Sequence, residues 1–498
     1  MSNKYNLSYK LFGLTILVLS IIRLISYHWE VITNIYPNEY REGAMLMTTK
    51  LLLSGGNPYD PDLQPQYTNV YGILYPLVTA ALAFFTKVDL PTHRLVSAIF
   101  ILASCSIIYL IMLRSNVTLF YRIGGVGIFY GHSIYSCSYA YPNGLGVFLL
   151  LLTVFIPWRY NYQRNSLIVS ILAGILGFLV KPYFVLGVFY LATYLFFTDR
   201  SKAIKYSFAA IISFAVVMAW MNWQFPVYIN NCLLGHANIA GNSIPYMLQQ
   251  LQTYALDNIW LIILGVIVSW NQRSTIFNTK IKSIGLINTC LIVSLLLFVT
   301  KLGLHEGAWI SYLHHLVSPF AIVSLFTVFS RQSTVLVDRK KYNVVSYMLI
   351  IFAMIQLRSS MFLPDILPES YQNWVAIDKI ITSHKQVLST PIVASILLGQ
   401  NKPVWDNGES EYFIYGVKHD NYLKFKQHYE QYRQKIKDRL AGKEFDLVIT
   451  NNKMNSDAFI DLRTLSEFYN KDKNLQLLFP FGKKTWRGWD VSLYTPKK

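Results

Sequence analysis

Apolar runs of about 17–22 residues recur along the chain from Leu11 to about Leu363, with short polar loops between them. Each run is long enough to carry a helix across roughly 30 Å of hydrocarbon. A helix satisfies its own backbone donors and acceptors, so residues 1–363 are expected to form a polytopic α-helical membrane domain of about 11–13 spans. The first run, Leu11 to Ile25, is not followed by a small-residue cleavage site and reads as an anchor. From about Pro364 the runs shorten and charges become frequent, which predicts a small C-terminal α/β domain over 364–498. Its strands are expected at Gln386–Val393, Phe445–Thr450, Leu475–Phe479 and Trp489–Tyr494. Tyr422, Phe425, Tyr429, Tyr432, Ile436 and Leu440 recur at helical spacing, so 420–441 is expected to be an amphipathic helix ending near Gly442.

One polar stretch interrupts the apolar pattern early, from His28 to Val70. It holds five carboxylates, Glu30, Glu39, Glu42, Asp60 and Asp62, out of only ten in residues 1–363. The other sixteen acids lie in the tail. Half of the acid of the membrane part is therefore gathered in one loop, which marks it as the candidate reacting centre.

Charge changes the picture further. A formal net charge of +18 invites a nucleic-acid partner, but residues 1–363 carry 24 basic side chains against 10 acidic and the tail 20 against 16. Most of the excess sits in short loops, where it orients helices instead of gripping phosphodiesters, so no nucleic acid is expected. Lys4/Lys10, Arg114/Arg122, Arg159/Arg164, Arg200/Lys202/Lys205 and the groups at 273–282 and 331–341 then mark the cytoplasmic side of a plasma (inner) membrane. The N-terminus is expected inside, and the 28–70 loop, about 131–142, the Lys181–Pro182 break, 223–257, 300–309 and the C-terminal domain outside. Two runs, about 71–86 and 94–113, lie where this rule needs an odd number of crossings, so either one is re-entrant or the Arg114/Arg122 loop breaks the rule. The four cysteines, at 105, 137, 232 and 290, have no metal-ligand spacing and read as buried thiols.

Within the loop, Asn38 is a fair N-cap for a helix from Glu39 to about Leu53, lying along the membrane surface. Glu39 and Glu42 are then three apart on one face near its positive end. Ser54–Asp60, with two glycines and a proline, ends it in a turn. A carboxylate walled in beside the outer leaflet can serve as general base for a hydroxyl. Glu39 with Glu42, Asp60 or Asp62 can also offer oxygens to a divalent cation, though nothing in the pattern names an ion.

An acid shortly after the first helix, Gly-Gly-Asn-Pro-Tyr at 55–59, and Tyr71-Gly72-x-x-Tyr75-Pro76-Leu77 opening the next run together resemble the signature region of the GT-C class, the polyprenyl-phosphate-sugar-dependent glycosyltransferases. That resemblance implies an essential carboxylate in the first outer loop, matching Glu39. Many members show two adjacent or alternating acids, whereas this chain has Asn38-Glu39 with Glu42 a turn later. The choice between the two glutamates, and the use of a metal, stay open here.

The reading that follows is a membrane transferase moving a sugar from a polyprenyl-phosphate donor to a hydroxyl of a lipid, glycan or protein acceptor, with inversion. Glu39 acts as general base on the outer face, with Glu42 the second catalytic candidate. Lys181, beside a helix-breaking proline inside GILGFLVKPYFVLGVFYL, is a cation where insertion costs about 2.5–3.5 kcal/mol, and it is a candidate for the donor phosphate with Arg41 and His305. Tyr59, Asp60, Tyr75, His314 and His315 are candidate substrate contacts. The two adjacent histidines, inside an apolar run, cannot both face one way. Tyr139, Tyr141 and Asn143 are placed at the same vestibule. A carrier or flippase of lipid-linked sugars also accounts for the spans and the Lys181 break, but not for the acid-rich loop or the large tail. An oligosaccharide polymerase is the third reading.

Overall fold

The computed structural model describes residues 2–235, 241–271, 282–305, 309–332, 345, 347–356, 368–410, 412–413, 423–452, 459–483 and 486–498. The expected domain boundary at 363/364, Glu306, Gly307 and Tyr422 lie outside these residues. The described chain is an integral membrane helical bundle carrying a small sheet domain. The bundle begins with α1 (Ser2–Thr33), α2 (Glu42–Leu53), α3 (Leu74–Ala83), α4 (Leu90–Arg114), α5 (Leu119–Cys137) and α6 (Asn143–Arg159). It continues with α7 (Arg164–Val180), α8 (Leu186–Thr198) and α9 (Arg200–Gln224).

Among the described residues four helices are long and apolar enough to cross a membrane alone: Leu11–Thr33, Leu90–Arg114, Arg200–Gln224 and Gly285–Leu304. A fifth candidate is the pair Ile244–Asp257 and Ile259–Ile267, bent by 78° at Asn258. Shorter apolar helices, α6, α7 and α3 among them, fill the rest of the bundle. The ambiguity at 71–113 falls on α3, whose 10 residues rise only about 15 Å, half of a hydrocarbon core. It is too short for a full crossing, whereas α4 is long enough for one.

Two ends of the bundle separate by chemistry. At one, the Arg114 guanidinium lies 5.5 Å from the Trp158 ring centroid. At the other, the segments expected on the outer face meet: Glu42 accepts from the Ala140 backbone N–H at 2.8 Å, and Gly72 donates to Val180 O at 3.1 Å.

The tail forms one four-stranded sheet in the order β1 (Val387–Ser389), β2 (Leu447–Asn451), β4 (Trp486–Pro496), β3 (Tyr469–Lys483). β1 and β2 run parallel, and β4 pairs antiparallel with both β2 and β3. All four strands overlap the segments expected from alternation, and the amphipathic helix spans Leu423–Ala441. The domain does not close its core by itself. Tyr36 and Met47 of the first loop pack with Trp374, Ile377 and Val491, and Tyr59, Tyr228 and Cys232 pack with Leu388 and Phe413. The 34–73 loop is thus the filling between bundle and sheet.

Candidate functional site

The loop leaves α1 at Thr33 and is pinned by an arginine of α4. Arg94 is fully buried and directs all five guanidinium N–H groups to partners. Nε and Nη2 donate to the two oxygens of Glu42 at 2.9 and 2.7 Å. Nη1 donates to Val31 O and Asn34 O, and Nη2 also to Tyr36 O. Glu42 is equally committed: it accepts from Asn38 N at 2.7 Å and Ala140 N at 2.8 Å. Asn38 is consequently not the helix cap, because its side-chain oxygen takes the Asn34 amide and the Phe481 N–H. Helix α2 instead starts at Glu42, whose carboxylate reaches back to the Asn38 N–H much as the glutamate of a capping box does. Nor does α2 lie free on a surface. Glu42–Thr49 are buried, and a Cβ on Gly43 would stand 2.6 Å from Ala394 Cβ of the sheet domain.

Glu39 sits on the turn before α2, its side chain 15% exposed. Its Oε1 takes the Arg41 Nε at 3.1 Å and its Oε2 the Arg41 backbone N–H at 2.8 Å. Burial pushes the Glu39 carboxyl up, against the opposing pull of Arg41. Arg41 lies 5.2 Å from the Tyr40 ring centroid and 5.6 Å from that of Tyr141.

Lys181 enters from the break after α7. Pro182 bars the helical conformation at the residue before it, and Lys181 is extended, with φ −161° and ψ 131°. The turn Pro182–Val185 then leads into α8, and the Val180 carbonyl accepts from Gly72 instead of from its own helix. Only glycine fits there: a Cβ on Gly72 would stand 1.8 Å from Leu179 O. This contact brings Tyr71 over Lys181, whose Nζ is 4.8 Å from the Tyr71 ring and 5.4 Å from that of Tyr183. Tyr183 in turn shares its hydroxyl with His315 Nδ1 at 2.8 Å.

The fourth charged group comes from the sheet domain. Glu409 is fully buried; its Oε2 accepts from Val70 N at 3.0 Å, and its Oε1 has no hydrogen-bond partner among the described residues. Burial raises its carboxyl to about 8, with Arg41 and Lys181 pulling it down and Glu39 pushing it up. Contacts bring the four to one seam: Arg41 lies over Tyr40, whose ring meets Gly408 beside Glu409, Glu39 pairs with Arg41, and Lys181 lies over Tyr71 next to the Val70 N–H that Glu409 takes.

The other candidates are held elsewhere. Tyr59 is buried, donating to Tyr71 O at 2.5 Å and accepting from Asn69, so it shapes the approach to Gly72. Asp60 caps a single turn through Asp62 N, and Tyr75 donates to His93 O on α4. His305 forms a β-bridge with Asn242 beside the Leu302–Leu304 turn. His314 and His315 do point apart: His314 stacks on His132 at 4.8 Å, while His315 turns to Tyr183 and Cys137. Tyr139 donates to Phe481 O, and Tyr141 faces Arg41. All four cysteines are buried and unbridged. Among the described residues no three His, Cys, Asp or Glu side chains gather to hold a metal ion.

Sequence reasoning passed over Arg94 and Glu409. Arg94 stands at the head of an apolar run, where a charge needs a partner, and that signal was available. Glu409 is one of sixteen tail acids, with nothing local to single it out.

The fold is shared with the solved structures of ArnT and AglB. ArnT from Cupriavidus metallidurans superposes in its apo state with a TM-score of 0.55 at 9% identity, covering 95% of this chain and 97% of that one. Its undecaprenyl phosphate-bound form gives 0.54 at 9% identity, over 99% and 98%. The archaeal oligosaccharyltransferase AglB from Archaeoglobus fulgidus, in complex with an inhibitory peptide and a dolichol-phosphate, gives 0.51 at 10% identity, over 95% of this chain and 74% of that one. No family profile matches the sequence, and no curated protein matches it.

Proposed function

We propose that this chain is a membrane glycosyltransferase that moves a sugar from a polyprenyl-phosphate donor to an acceptor hydroxyl on the outer face. The observation that carries the reading is that Glu39 pairs with Arg41 over Tyr40 against Gly408, while Lys181 lies over Tyr71 beside the Val70 N–H held by Glu409. Glu39, pushed up by burial, takes the acceptor proton as the hydroxyl oxygen attacks the anomeric carbon. The bond from that carbon to the phosphate oxygen breaks, and its electron pair leaves on the phosphate. Arg41 and Lys181 offset that charge, Lys181 as a point charge and Arg41 as a fork. Attack opposite the leaving group inverts the centre. Glu42 is assigned to holding the loop, because Arg94 and two backbone N–H groups occupy its oxygens. The undecaprenyl phosphate bound to ArnT and the dolichol-phosphate bound to AglB support a lipid-linked donor.

The test uses purified protein in nanodiscs, a panel of labelled polyprenyl-phosphate sugars, and membrane extract as acceptor source. Label should move to acceptor with the native chain. It should fall at least about 100-fold in Glu39→Gln, with undecaprenyl phosphate binding kept within a few-fold. Label crossing proteoliposomes equally well in Glu39→Gln, without transfer, would make the protein a carrier.

A further inference from the structure

The sheet domain reaches into the seam through one short segment that is sewn to the first loop. Gln66 Nε2 donates to Val404 O at 2.7 Å, Asn407 Nδ2 to Thr68 O at 2.8 Å, and Ser410 Oγ to Pro65 O at 3.1 Å. Gly408, at φ +87°, turns the chain against Tyr40, so that Asn407, Glu409 and Ser410 are all buried. The segment delivers one carboxyl, and only half of that carboxyl is used. A capping role needs Glu409 Oε2 alone, on Val70 N. Oε1 is buried with no hydrogen-bond partner among the described residues, beside the two cations that the reading above assigns to the donor phosphate.

We infer that Glu409 is a third phosphate-binding residue, a neutral carboxyl whose Oε1–H donates a hydrogen bond to the anion held by Arg41 and Lys181. The inference rests on the proposed function and extends it to the sheet domain. A buried carboxylate beside an incoming phosphate would repel it, whereas the acid form adds a donor at the same point. The charged groups acting on Glu409 are Glu39 and Arg41 from the turn before α2 and Lys181 from the α7 break. Tyr71, Tyr412 and Tyr40 feel its charge as phenols that burial pushes upward, and Tyr59 and the Cys232 thiol stand behind them. With burial holding the Glu409 carboxyl near 8, the donor form prevails below that pH and is lost above it.

The probe is undecaprenyl phosphate, titrated into full-length protein in nanodiscs at pH 6.5, 7.5, 8.5 and 9.5. Comparing variants at each pH removes the ionisation of the probe and of Glu39. Glu409→Gln keeps a donor at every pH, so its affinity should match the native chain at pH 6.5 and exceed it about tenfold at pH 9.5. Glu409→Ala should bind about tenfold more weakly at pH 6.5, with its melting temperature recorded to separate loss of fold from loss of contact. Native and Glu409→Gln chains with one shared pH profile would overturn the inference and leave Glu409 as a cap on Val70. If affinity then still fell in Lys181→Ala, the lipid-phosphate reading would stand without Glu409. No binding to the native chain at any pH would remove both.

Discussion

Removing Arg94 should release the loop that carries Glu39. In Arg94→Met the Glu42 carboxylate stays buried with two backbone N–H groups but no counter-charge, and Val31 O, Asn34 O and Tyr36 O lose their donor. Breaking a buried ion pair by deleting one partner costs about 3–5 kcal/mol, and buried acceptors left unpaired add about 1–3 kcal/mol each at most. The loop can reopen those carbonyls to water, so the expected loss is about 5 kcal/mol. Glu42→Gln, which strands Arg94 instead, should cost about 3–5 kcal/mol. The double variant Glu42→Gln/Arg94→Met removes both charges and keeps an amide oxygen for one of the Asn38 and Ala140 N–H groups, which the native carboxylate takes on separate oxygens. It should be about 2–3 kcal/mol more stable than the sum of the singles. Unfolding in mixed detergent–SDS micelles, followed by tryptophan fluorescence, gives all four corners of the cycle. An Arg94→Met chain as stable as the native one, or a double variant equal to the sum, would refute this account of the anchor.

The remaining expectations concern the seam itself. Gly72→Ala should unfold well before the native chain and lose undecaprenyl phosphate binding, since its Cβ would stand 1.8 Å from Leu179 O and push Tyr71 away from Lys181; unchanged melting would count against the contact. Lys181→Ala should weaken undecaprenyl phosphate binding about tenfold or more, near 1.4 kcal/mol, with Lys181→Arg recovering part of it; equal affinities would remove Lys181 from the phosphate site. Folding holds the Glu409 proton, with the carboxyl raised from 4.5 to about 8, so stability from this group is present below pH 4.5 and lost as pH climbs to 8. That interval corresponds to a loss of about 4–5 kcal/mol, absent from Glu409→Gln; melting temperatures whose difference stays flat between pH 5 and 9 would contradict it.

What could be read from the sequence follows the range of the forces involved. Apolar runs and strand alternation are local, and the bundle and sheet appear where those patterns place them. The start of α2 was misplaced because a cap is a competition. Asn38 has the right chemistry, but its oxygen goes to Asn34 and to Phe481 N, 443 residues away, and Glu42 serves the backbone from inside the helix. Arg94 advertised a need for a partner without saying which of five nearby acids would meet it. Its partner is set by how α4 packs against the loop, not by spacing. Glu409 meets Val70 across 339 residues, and its isolation from water exists only after the domain docks.

Two glutamates three residues apart are thereby given opposite fates by two arginines. Arg94 spends every donor, and Glu42 is held at 0% exposure. Moving it would forfeit the about 3–5 kcal/mol of a buried pair. Arg41 faces Glu39 with 20% and 15% of the two side chains open and holds it by a single side-chain hydrogen bond, Nε to Oε1 at 3.1 Å, where Arg94 grips both oxygens of Glu42. Under the proposed function, a phosphate arriving at Arg41 and Lys181 would compete for that guanidinium, whose Nη groups are not committed to Glu39. That competition would loosen Glu39 from Arg41, whose charge holds its carboxyl down, and so make it a better base once the donor is in place. The glutamate able to change partners is the one suited to take a proton, and the rigid neighbour behind it is what keeps that exchange in register.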